Sequence, residues 1–352
     1  MPQPLAFLLL PFAWLYAAVL RVRNWLYDSG LRESTAYPVP VISVGNLRVG
    51  GTGKTPHVAW LVRQLQLAGE KPAVLSRGYG RRTRGYRLAD AAATAATIGD
   101  EPLQHYQDFG GRVPVAVCED RRTGIATLLH TQPTLTAIVL DDAYQHRRVR
   151  PALTVLLTEQ QRPFYQDCVL PAGRLRESRS GARRADVVIV TKCAADLSAQ
   201  QQAQLAAQVR RYARPGVPVL FSTYDYGAPV AVGAAAAAPV GPDILLLTGI
   251  AQPGPLREYL AGAGYRIGYH AAFADHHAFT AADIAAVAGQ LEPGQSVFTT
   301  QKDAVRLLEP ALREALAGLP VFYIPIEVRF LADGAARLHC LLPPLFQPQA
   351  VV

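Results

Sequence analysis

Short and nearly continuous hydrophobic runs recur along the amino-terminal half of the chain, separated by helix-length stretches. They cover residues 41–44, 73–75, 113–117, 136–140, 153–157 and 187–190. Runs without polar alternation are typical of strands buried on both faces of a parallel sheet. Together with a helical pattern at 197–213, they predict a doubly wound, mostly parallel α/β domain over residues 29–215.

A second set of apolar runs follows a proline- and glycine-containing turn at residues 215–218, which marks a boundary. These runs predict strands at 244–248, 265–267, 296–300 and 321–324, with a helix that begins at Pro255. The pattern predicts a second, smaller α/β domain over residues 216–352. The alanine-rich stretch 232–239 reads as a loop or low-complexity insert without chemistry of its own.

The amino terminus has a different pattern, because residues 4–20 carry no charge and the first arginines follow them. That order argues against a signal peptide, in which basic residues come first. A spanning helix usually needs about 20 apolar residues, and Pro11 interrupts this run. We therefore predict that residues 1–28 form an amphipathic helix in one leaflet, with aromatic side chains and arginines at headgroup level. An ordinary buried helix is the alternative.

Composition narrows the class of protein only in part. The chain has 352 residues, of which 50% are hydrophobic and 18% charged, so a large core is available. Four scattered cysteines without a C-x-x-C pair argue against a zinc site or a disulfide framework and fit a reducing compartment. The net charge of +8 suits nucleic acid, an anionic membrane or a phosphorylated substrate equally well.

A glycine-rich loop joins the first predicted strand to a helix whose apolar face carries Val58, Leu61, Val62 and Leu65. Strand, glycine loop and helix in that order are the context of a P-loop, in which backbone N–H groups turn towards phosphate oxygens. The residues expected to bind the nucleotide phosphates are Gly50, Gly51, Thr52, Gly53, Lys54 and Thr55.

Lys54 would reach the β- and γ-phosphates and the Thr55 hydroxyl would bind Mg²⁺, so the sequence predicts ATP and Mg²⁺ as cofactors. One position departs from the consensus, since Arg48 stands where the first glycine is expected. A glycine-rich turn with a surface lysine is the alternative interpretation. Because ATP is cytosolic, we expect the amino-terminal anchor on the cytoplasmic face.

Two acids, Asp141 and Asp142, end the predicted strand 136–140. In a P-loop protein this is where a carboxylate holds Mg²⁺ and its water, since carboxylate oxygens suit a hard cation. An acid pair after a strand is also a common turn. With a P-loop upstream, the metal role is the better interpretation.

Two further motifs carry acids and histidines. Asp100 lies in a turn before a helix, where it serves either as a helix cap or as a general base for an attacking hydroxyl. Asp275, His276 and His277 form a compact cluster in the second domain. His276 could orient a carboxylate, whereas a metal site lacks a third ligand at suitable spacing. The residues alone leave both motifs undecided.

Arginine-rich loops suit anionic groups. Arg77, Tyr79 and Arg81 follow the second strand, and a solvated basic loop is their alternative. Arg176 and Glu177 follow another strand-like run. Neutralisation of a transferring phosphoryl group by Arg176 and metal support by Glu177 are chemically sensible, but spacing alone establishes neither.

Seven motifs in order resemble one family. They are GNxxVGGTGKTP at the P-loop, LSRGYGR, GDEP, DDAYQHRR, LPAGRLRES, FADHHAF and TTQKDAVRL. After an amphipathic amino terminus, this set resembles the tetraacyldisaccharide 4'-kinases of lipid A biosynthesis. The resemblance extends from the amino-terminal helix to about residue 330.

The resemblance implies a peripheral enzyme on the cytoplasmic face of the bacterial inner membrane, with two α/β/α domains joined by a hinge. It implies transfer of phosphate from ATP to the 4'-hydroxyl of a tetraacylated glucosamine disaccharide 1-phosphate, which gives lipid IVA. The partners expected are therefore this lipid and the membrane surface, without nucleic acid. Nothing in the sequence indicates a coiled coil or repeat interface, and a monomer is favoured.

Carried over by motif, Lys54 and Arg176 are catalytic, and Asp100 is the base with His276 as its partner. His276 is preferred to His277 because the family's histidine directly follows an aspartate. Thr55, Asp141, Asp142 and Glu177 are expected around the metal. The residues expected to contact the substrate are Asn46, Arg77, Tyr79, Arg81, Gln145 and His146.

Other P-loop classes fit less well. A membrane-associated switch ATPase of the partitioning kind would have lysine at Val49, before the glycine pair. A GTPase would have a guanine-reading aspartate at Ala194. A nucleic-acid-binding ATPase would use the positive charge but leaves the apolar amino terminus without a purpose.

Overall fold

The chain builds two β-sheets. The computed structural model describes residues 8–233 and 238–346. The nine strands of the large sheet are β1 (Val41–Asn46), β2 (Pro72–Ser76), β3 (Arg87–Leu88), β4 (Val115–Val117), β5 (Ala137–Asp141), β6 (Leu153–Glu159), β7 (Val187–Thr191), β8 (Val219–Tyr226) and β14 (Ile326–Phe330). Their spatial order is β14-β8-β7-β6-β1-β5-β2-β4-β3. All pairs are parallel except those of the two edge strands, β14 and β3.

Helices cover both faces of this sheet. The α-helices of both units, within the described residues, are α1 (Leu10–Asp28), α2 (Lys54–Leu67), α3 (Ala95–Ile98), α4 (Asp100–Asp108), α5 (Arg121–Thr131), α6 (Ala199–Arg210), α7 (Gly254–Gly262), α8 (Ala281–Ala288), α9 (Gln301–Leu307), α10 (Gly334–His339) and α11 (Pro343–Phe346). Ile42 and Val44 of β1 pack against α2, while alternate residues of the neighbouring strands pack against α5 and α6. Every position of β1, β2, β5 and β7 is buried, which confirms the predicted parallel α/β sheet.

The small sheet has five strands in the order β11-β10-β12-β13-β9. Its strands are β9 (Val230–Ala231), β10 (Asp243–Thr248), β11 (Arg266–Ala272), β12 (Ser296–Thr300) and β13 (Val321–Ile324). Four of them are parallel, and β9 is antiparallel to β13. Helices α8 and α9 pack on one face and α7 on the other, so this unit has a core of its own.

The two sheets do not divide at the predicted boundary of residues 215 and 216. Strand β8 lies beyond that point and still belongs to the large sheet, and β14 returns to pair with it. The small sheet is therefore inserted between two strands of the large one. The turn at 215–218 leads into β8, and β14 alternates between buried and exposed positions, which gave no continuous run.

The two units are packed together through α9 and α4. Val305 of α9 lies in one cluster with Ile98, Leu103 and Val117 of the large unit. The Glu309 carboxylate accepts a hydrogen bond of 2.7 Å from the backbone N–H of Ala95. These contacts hold the start of α4 beside the loops of the small sheet.

Helix α1 lies against the loops that follow β5 and precede β7. The Tyr16 hydroxyl donates to the carbonyl of Arg176 (3.2 Å), and the Asn24 amide donates to Glu177 (3.1 Å). Pro11 falls in its first turn, where proline is tolerated, and therefore does not break the helix. Within residues 8–233 and 238–346, none of the helices combines the length and apolar character needed to cross a bilayer. Residues 1–7 of the predicted anchor, and 234–237 of the alanine-rich stretch, lie outside the described residues.

Candidate active site

The P-loop and the acid pair meet at the carboxyl edge of the large sheet. Strands β1 and β5 are neighbours, and Val44 pairs in register with Asp141. The loop after β1 and the residues after β5 therefore emerge side by side, where α/β sheets bind ligands.

The P-loop is held in shape by its own polar contacts. Gly50 and Gly53 have φ angles of 120° and 85°, which favour glycine. The Asn46 amide donates to the Thr52 hydroxyl (2.6 Å), and the Thr191 hydroxyl donates to the Thr52 carbonyl (2.9 Å). The loop is thus braced before any phosphate binds.

Three charged side chains converge beyond the loop. The Arg176 guanidinium is 2.8 and 3.0 Å from the two oxygens of Asp142, and the Lys54 ammonium is 3.7 Å from the same carboxylate. Burial acts to raise the pKa of Asp142, but the positive charges of Lys54 and Arg176 outweigh it and the pKa is lowered. Asp142 is therefore ionised, and Thr55 follows Lys54 in the first turn of α2.

Asp141 is fully buried beside Asp142. Its Oδ2 lies 3.3 Å from His105 Nε2, while its Oδ1 is buried without a hydrogen-bond partner among the described residues. A free carboxylate oxygen next to an ionised one fits a hard cation. No cluster of three or more histidine, cysteine or acidic residues in the described part of the chain could hold a metal unaided. Mg²⁺ commonly takes one or two carboxylates together with substrate phosphates, so this donor set fits it.

Asp100 and His276 meet across the two units. Asp100 is the first residue of α4, and its Oδ2 is 3.1 Å from Nδ1 of His276, which lies in the loop after β11. Nε2 of His276 lies 2.9 Å from the Lys302 ammonium, which can only donate. His276 is therefore the neutral tautomer with its proton on Nδ1, and it donates that proton to Asp100.

The local backbone and nearby charges fix the position and the ionisation of Asp100. Gly99 has φ 94°, and a Cβ there would lie 2.8 Å from the Tyr79 carbonyl, so the turn requires glycine. Burial acts to raise the pKa of Asp100, but the hydrogen bond from His276 and the charge of Arg306, 3.4 Å away, outweigh it and lower the pKa. Asp100 is ionised at neutral pH.

The Glu177 carboxylate, expected at the metal, is held by neighbouring side chains in this structure. Its carboxylate is buried and accepts hydrogen bonds from Arg184 (2.7 Å), Gln145 (3.0 Å) and Asn24 (3.1 Å). Gln145 also donates to the Asn46 carbonyl (2.8 Å). Both side chains therefore brace the loops, whereas the sequence assigned Glu177 to the metal and Gln145 to the substrate.

Two residues expected at the substrate, Asn46 and Arg81, have partners within the protein. Asn46 is fully buried under the P-loop instead of facing substrate. Arg81 is paired with Glu119 at 2.6 Å, with its side chain almost wholly buried. Arg48, which stands in place of the first consensus glycine, pairs with Asp167 at 2.9 Å and Glu159 at 3.3 Å.

The remaining predicted substrate residues are Arg77, Tyr79 and His146, of which the first two have free surface. Arg77 and Tyr79 are exposed, and the Tyr79 ring lies 6.0 Å from that of His276. His146 lies 3.7 Å from Asp120. Burial, together with the charge of Arg121, lowers the pKa of His146 to about 4 and keeps the ring neutral. His277, the other histidine of its motif, pairs with Asp283 at 3.0 Å.

Sequence reasoning missed several residues of the site. Lys302 and Arg306 contact the Asp100–His276 pair, although only their motif was noted. Glu101, next to Asp100, has a raised pKa because of burial and the charge of Asp141, with Lys54 acting in the opposite direction. His105 lies one turn further along α4. Helical spacing could have found them. Glu101 and His105 follow Asp100 along α4, and Lys302 and Arg306 lie on adjacent turns within TTQKDAVRL.

A family model described as tetraacyldisaccharide-1-P 4'-kinase matches residues 5–342. A protein of Cytophaga hutchinsonii named tetraacyldisaccharide 4'-kinase is 43% identical over 338 residues, which are 95% of this chain and 94% of that protein. Its namesake in Flavobacterium johnsoniae is 41% identical over 327 residues, 92% of each chain.

A solved structure is also similar. LpxK from Aquifex aeolicus, crystallised in complex with ATP, has a TM-score of 0.75 and 27% sequence identity. The match covers 97% of this chain and 99% of that one.

Proposed function

Because the chain belongs to the tetraacyldisaccharide-1-phosphate 4'-kinase family, we propose that its phosphoryl transfer takes place between the P-loop and the Asp100–His276 pair. The reaction moves a phosphoryl group from ATP to the 4'-hydroxyl of a tetraacyldisaccharide 1-phosphate in lipid A biosynthesis.

One observation carries the assignment. Asp100, from the large unit, is hydrogen-bonded to His276 of the small unit at 3.1 Å, and both lie beside the phosphate-binding edge. Glu101, the neighbour of Asp100, senses the charges of Lys54, Asp141 and Asp142, which puts the start of α4 within electrostatic reach of the P-loop. The proposed base, Asp100, therefore lies close to the phosphate-binding loop.

Asp100 is the base in this scheme. Its ionised carboxylate accepts the proton of the 4'-hydroxyl as that oxygen bonds to the γ-phosphorus. The bond from the γ-phosphorus to the bridging oxygen breaks, and ADP leaves. His276 donates to the other side of the carboxylate and holds it in position, while Lys302 fixes the tautomer of His276.

Positive charge at the P-loop balances the transferring group. Lys54 and Arg176 approach the same carboxylate, Asp142, and can turn towards phosphate oxygens when nucleotide is bound. Asp141, Asp142 and the Thr55 hydroxyl would hold Mg²⁺, which neutralises phosphate charge when bound. Glu177 supports this edge indirectly, through Gln145 and Arg184.

The enzyme works at the cytoplasmic face of the inner membrane in this proposal, as a peripheral monomer. Phe12, Leu15, Val19 and Val22 form an exposed apolar stripe along α1, at spacings of three and four. The opposite side of α1 touches the loops that carry Arg176 and Glu177. A membrane-seated α1 would therefore present the lipid headgroup close to the site.

The test is transfer of labelled γ-phosphate to a detergent-dispersed tetraacylated disaccharide 1-phosphate. Wild type should give an Mg²⁺-dependent phospholipid product, lost on chelation. Lys54→Ala removes a positioned charge and should lower kcat by about 10²–10³-fold. Lys71→Ala, an exposed lysine outside the site, is the matched control. ATP hydrolysis without a lipid product would instead support the switch ATPase, and full activity of Lys54→Ala would reject the P-loop assignment.

A further inference from the structure

A cavity of about 580 Å³ lies between the end of α1 and the connection from β5 to β6. Tyr27 and Asp28 of α1, Ser43 of β1 and Arg147 of the connection are among its lining residues. The connection runs back to the amino edge of the sheet, and Thr154 at the start of β6 also lines the cavity. None of the lining residues belongs to the P-loop or to the Asp100–His276 pair.

The lining is strongly basic. It contains four arginines and two acids, namely Arg32, Arg147, Arg150, Arg184, Asp28 and Glu33. Arg147 is paired with Asp28 (2.7 Å) and Arg184 with Glu177 (2.7 Å), so only part of the positive charge is compensated. The cavity is therefore suited to an anion.

Two of the lining side chains carry a buried donor without an acceptor among the described residues. The Nη2 of Arg147 donates to Asp28, but its Nη1 is buried and has no hydrogen-bond partner in the parts of the chain that the structure describes. Ser43 is only 1% exposed, and within the same described ranges its hydroxyl also lacks a partner. An unmet buried donor costs about 1–3 kcal/mol, so an acceptor in the cavity that either side chain reaches by a small rotation would recover part of that cost.

The groups are held rigidly. The Arg147 guanidinium lies 5.4 Å from the centre of the Tyr27 ring, and that of Arg184 lies 4.8 Å from the centre of the Tyr144 ring. The Tyr144 hydroxyl donates to the Gly181 carbonyl (2.8 Å). Stacking fixes both guanidinium planes, which lowers the entropy lost when an anion binds.

We propose that this cavity binds the phosphate group of a lipid, through Arg147 and Ser43. Phosphate matches the planar guanidinium and accepts from a hydroxyl. A lipid is indicated because Tyr27 and Asp28 belong to the helix whose stripe is apolar and whose Trp25 is 57% exposed, as at a headgroup layer. The phosphate comes either from an anionic phospholipid or from the 1-phosphate of the kinase substrate.

The experiment compares Arg147→Gln and Ser43→Ala with Arg148→Gln in the full chain. Arg148 is the adjacent arginine, is exposed, pairs with Asp120 and does not line the cavity, so it controls for loss of charge. One arm measures binding to phosphatidylcholine vesicles with and without phosphatidylglycerol. The other measures KM and kcat for the disaccharide 1-phosphate in nonionic detergent without phospholipid.

Relative to Arg148→Gln, Arg147→Gln should either weaken phosphatidylglycerol-dependent binding or raise KM, in each case by about tenfold, as expected for loss of a hydrogen bond to a charged group. Ser43→Ala should act in the same arm without changing charge. Loss of phosphatidylglycerol-dependent binding identifies a phospholipid headgroup, and a raised KM identifies the substrate phosphate. If both variants match Arg148→Gln in both arms, the proposal is wrong. Transfer activity of wild type reports separately on the kinase mechanism.

Discussion

At the residue scale, a series of contacts between charged and polar side chains keeps Asp100 ionised. Lys302 donates to His276, His276 donates to Asp100, and Arg306 approaches the same carboxylate. Each link orients the next, and the low dielectric of a partly buried site strengthens all of them. The result is an ionised Asp100 carboxylate, which is the base in the proposed mechanism.

Lys302→Gln should shift the pH dependence of kcat/KM. The proposed mechanism requires ionised Asp100, whose pKa is held below its ordinary value of 3.8 against burial by the hydrogen bond from His276 and by the charges of Arg306 and Lys302. Removal of the Lys302 charge raises the pKa, so the acidic limb of the profile should move to higher pH. Lys71→Gln, an exposed lysine far from the pair, should leave the profile unchanged. An acidic limb that stays in place, or moves to lower pH, would contradict this series of contacts.

The same pKa affects stability with a defined sign. A carboxyl with a lowered pKa in the folded state stabilises the protein above its unfolded pKa, and this contribution is lost as pH falls through the folded value. The Lys302→Gln variant should therefore lose less stability than wild type between neutral and acidic pH.

Residue roles were predictable where a side chain follows a recognisable motif. Lys54, Asp142 and Asp100 lie at the site because strand, loop and helix order brings them to one edge. The partners of Glu177 and Arg81 were not predicted, since spacing does not tell which carboxylate or guanidinium finds a buried partner. Such pairing depends on tertiary contacts.

At the element scale, the P-loop is supported from behind by β8. Nδ1 of His57 donates to the Gly53 carbonyl (2.7 Å), and its Nε2 accepts from the Ser222 hydroxyl (2.9 Å). Burial lowers the pKa of His57 to about 4, so the ring stays neutral. The small unit is inserted between β8 and β14, so the strand that supports the P-loop, β8, also leads into that unit.

Gly53→Ala should destabilise the protein and weaken use of ATP. A left-handed alanine costs about 1–2 kcal/mol, and its Cβ would lie 1.9 Å from the Tyr224 hydroxyl. Adding Tyr224→Phe should recover part of the loss in melting temperature, because that hydroxyl has no partner among the residues described. Gly51→Ala, with open space around it, should leave stability unchanged. A double variant no more stable than Gly53→Ala would contradict this packing.

Replacing Phe12, Leu15 and Val19 with serine should weaken vesicle binding by about tenfold or more, since each apolar side chain contributes about 1.5–3 kcal/mol on full burial. The melting temperature should not change, because these side chains are exposed in the folded protein. Leu67→Ser, an equally exposed position on α2, is the control for flotation with vesicles. Unchanged binding of the triple variant would place the membrane contact elsewhere.

The sequence pattern located most strands because buried parallel strands are continuous apolar runs. Strand β14 was missed because only continuous apolar runs were counted as strands, whereas Ile326–Phe330 alternates apolar and polar residues, which is itself a strand pattern. Because β14 was omitted, the insertion of the small sheet between β8 and β14 was not predicted. Sheet order is set by contacts between distant segments, which local patterning does not record.

At the scale of the whole molecule, the active site is shared between two units. Asp100 comes from the large unit, whereas His276, Lys302 and Arg306 come from the small one. Val305 and the hydrogen bond from Ala95 to Glu309 hold the units together next to these residues. The base therefore acquires its protonation state from a partner that lies 176 positions later in the chain.

The most direct test of this account is a double-mutant cycle on kcat at saturating ATP and lipid, with Asp100→Asn, His276→Asn and both together. Asp100→Asn should lower kcat by about 10²–10⁴-fold, as loss of a general base does. The double variant should be no slower than Asp100→Asn, because His276 acts through Asp100. His277→Asn, whose partner is Asp283, should remain near wild type. Effects of Asp100 and His276 that simply multiply would contradict the shared site.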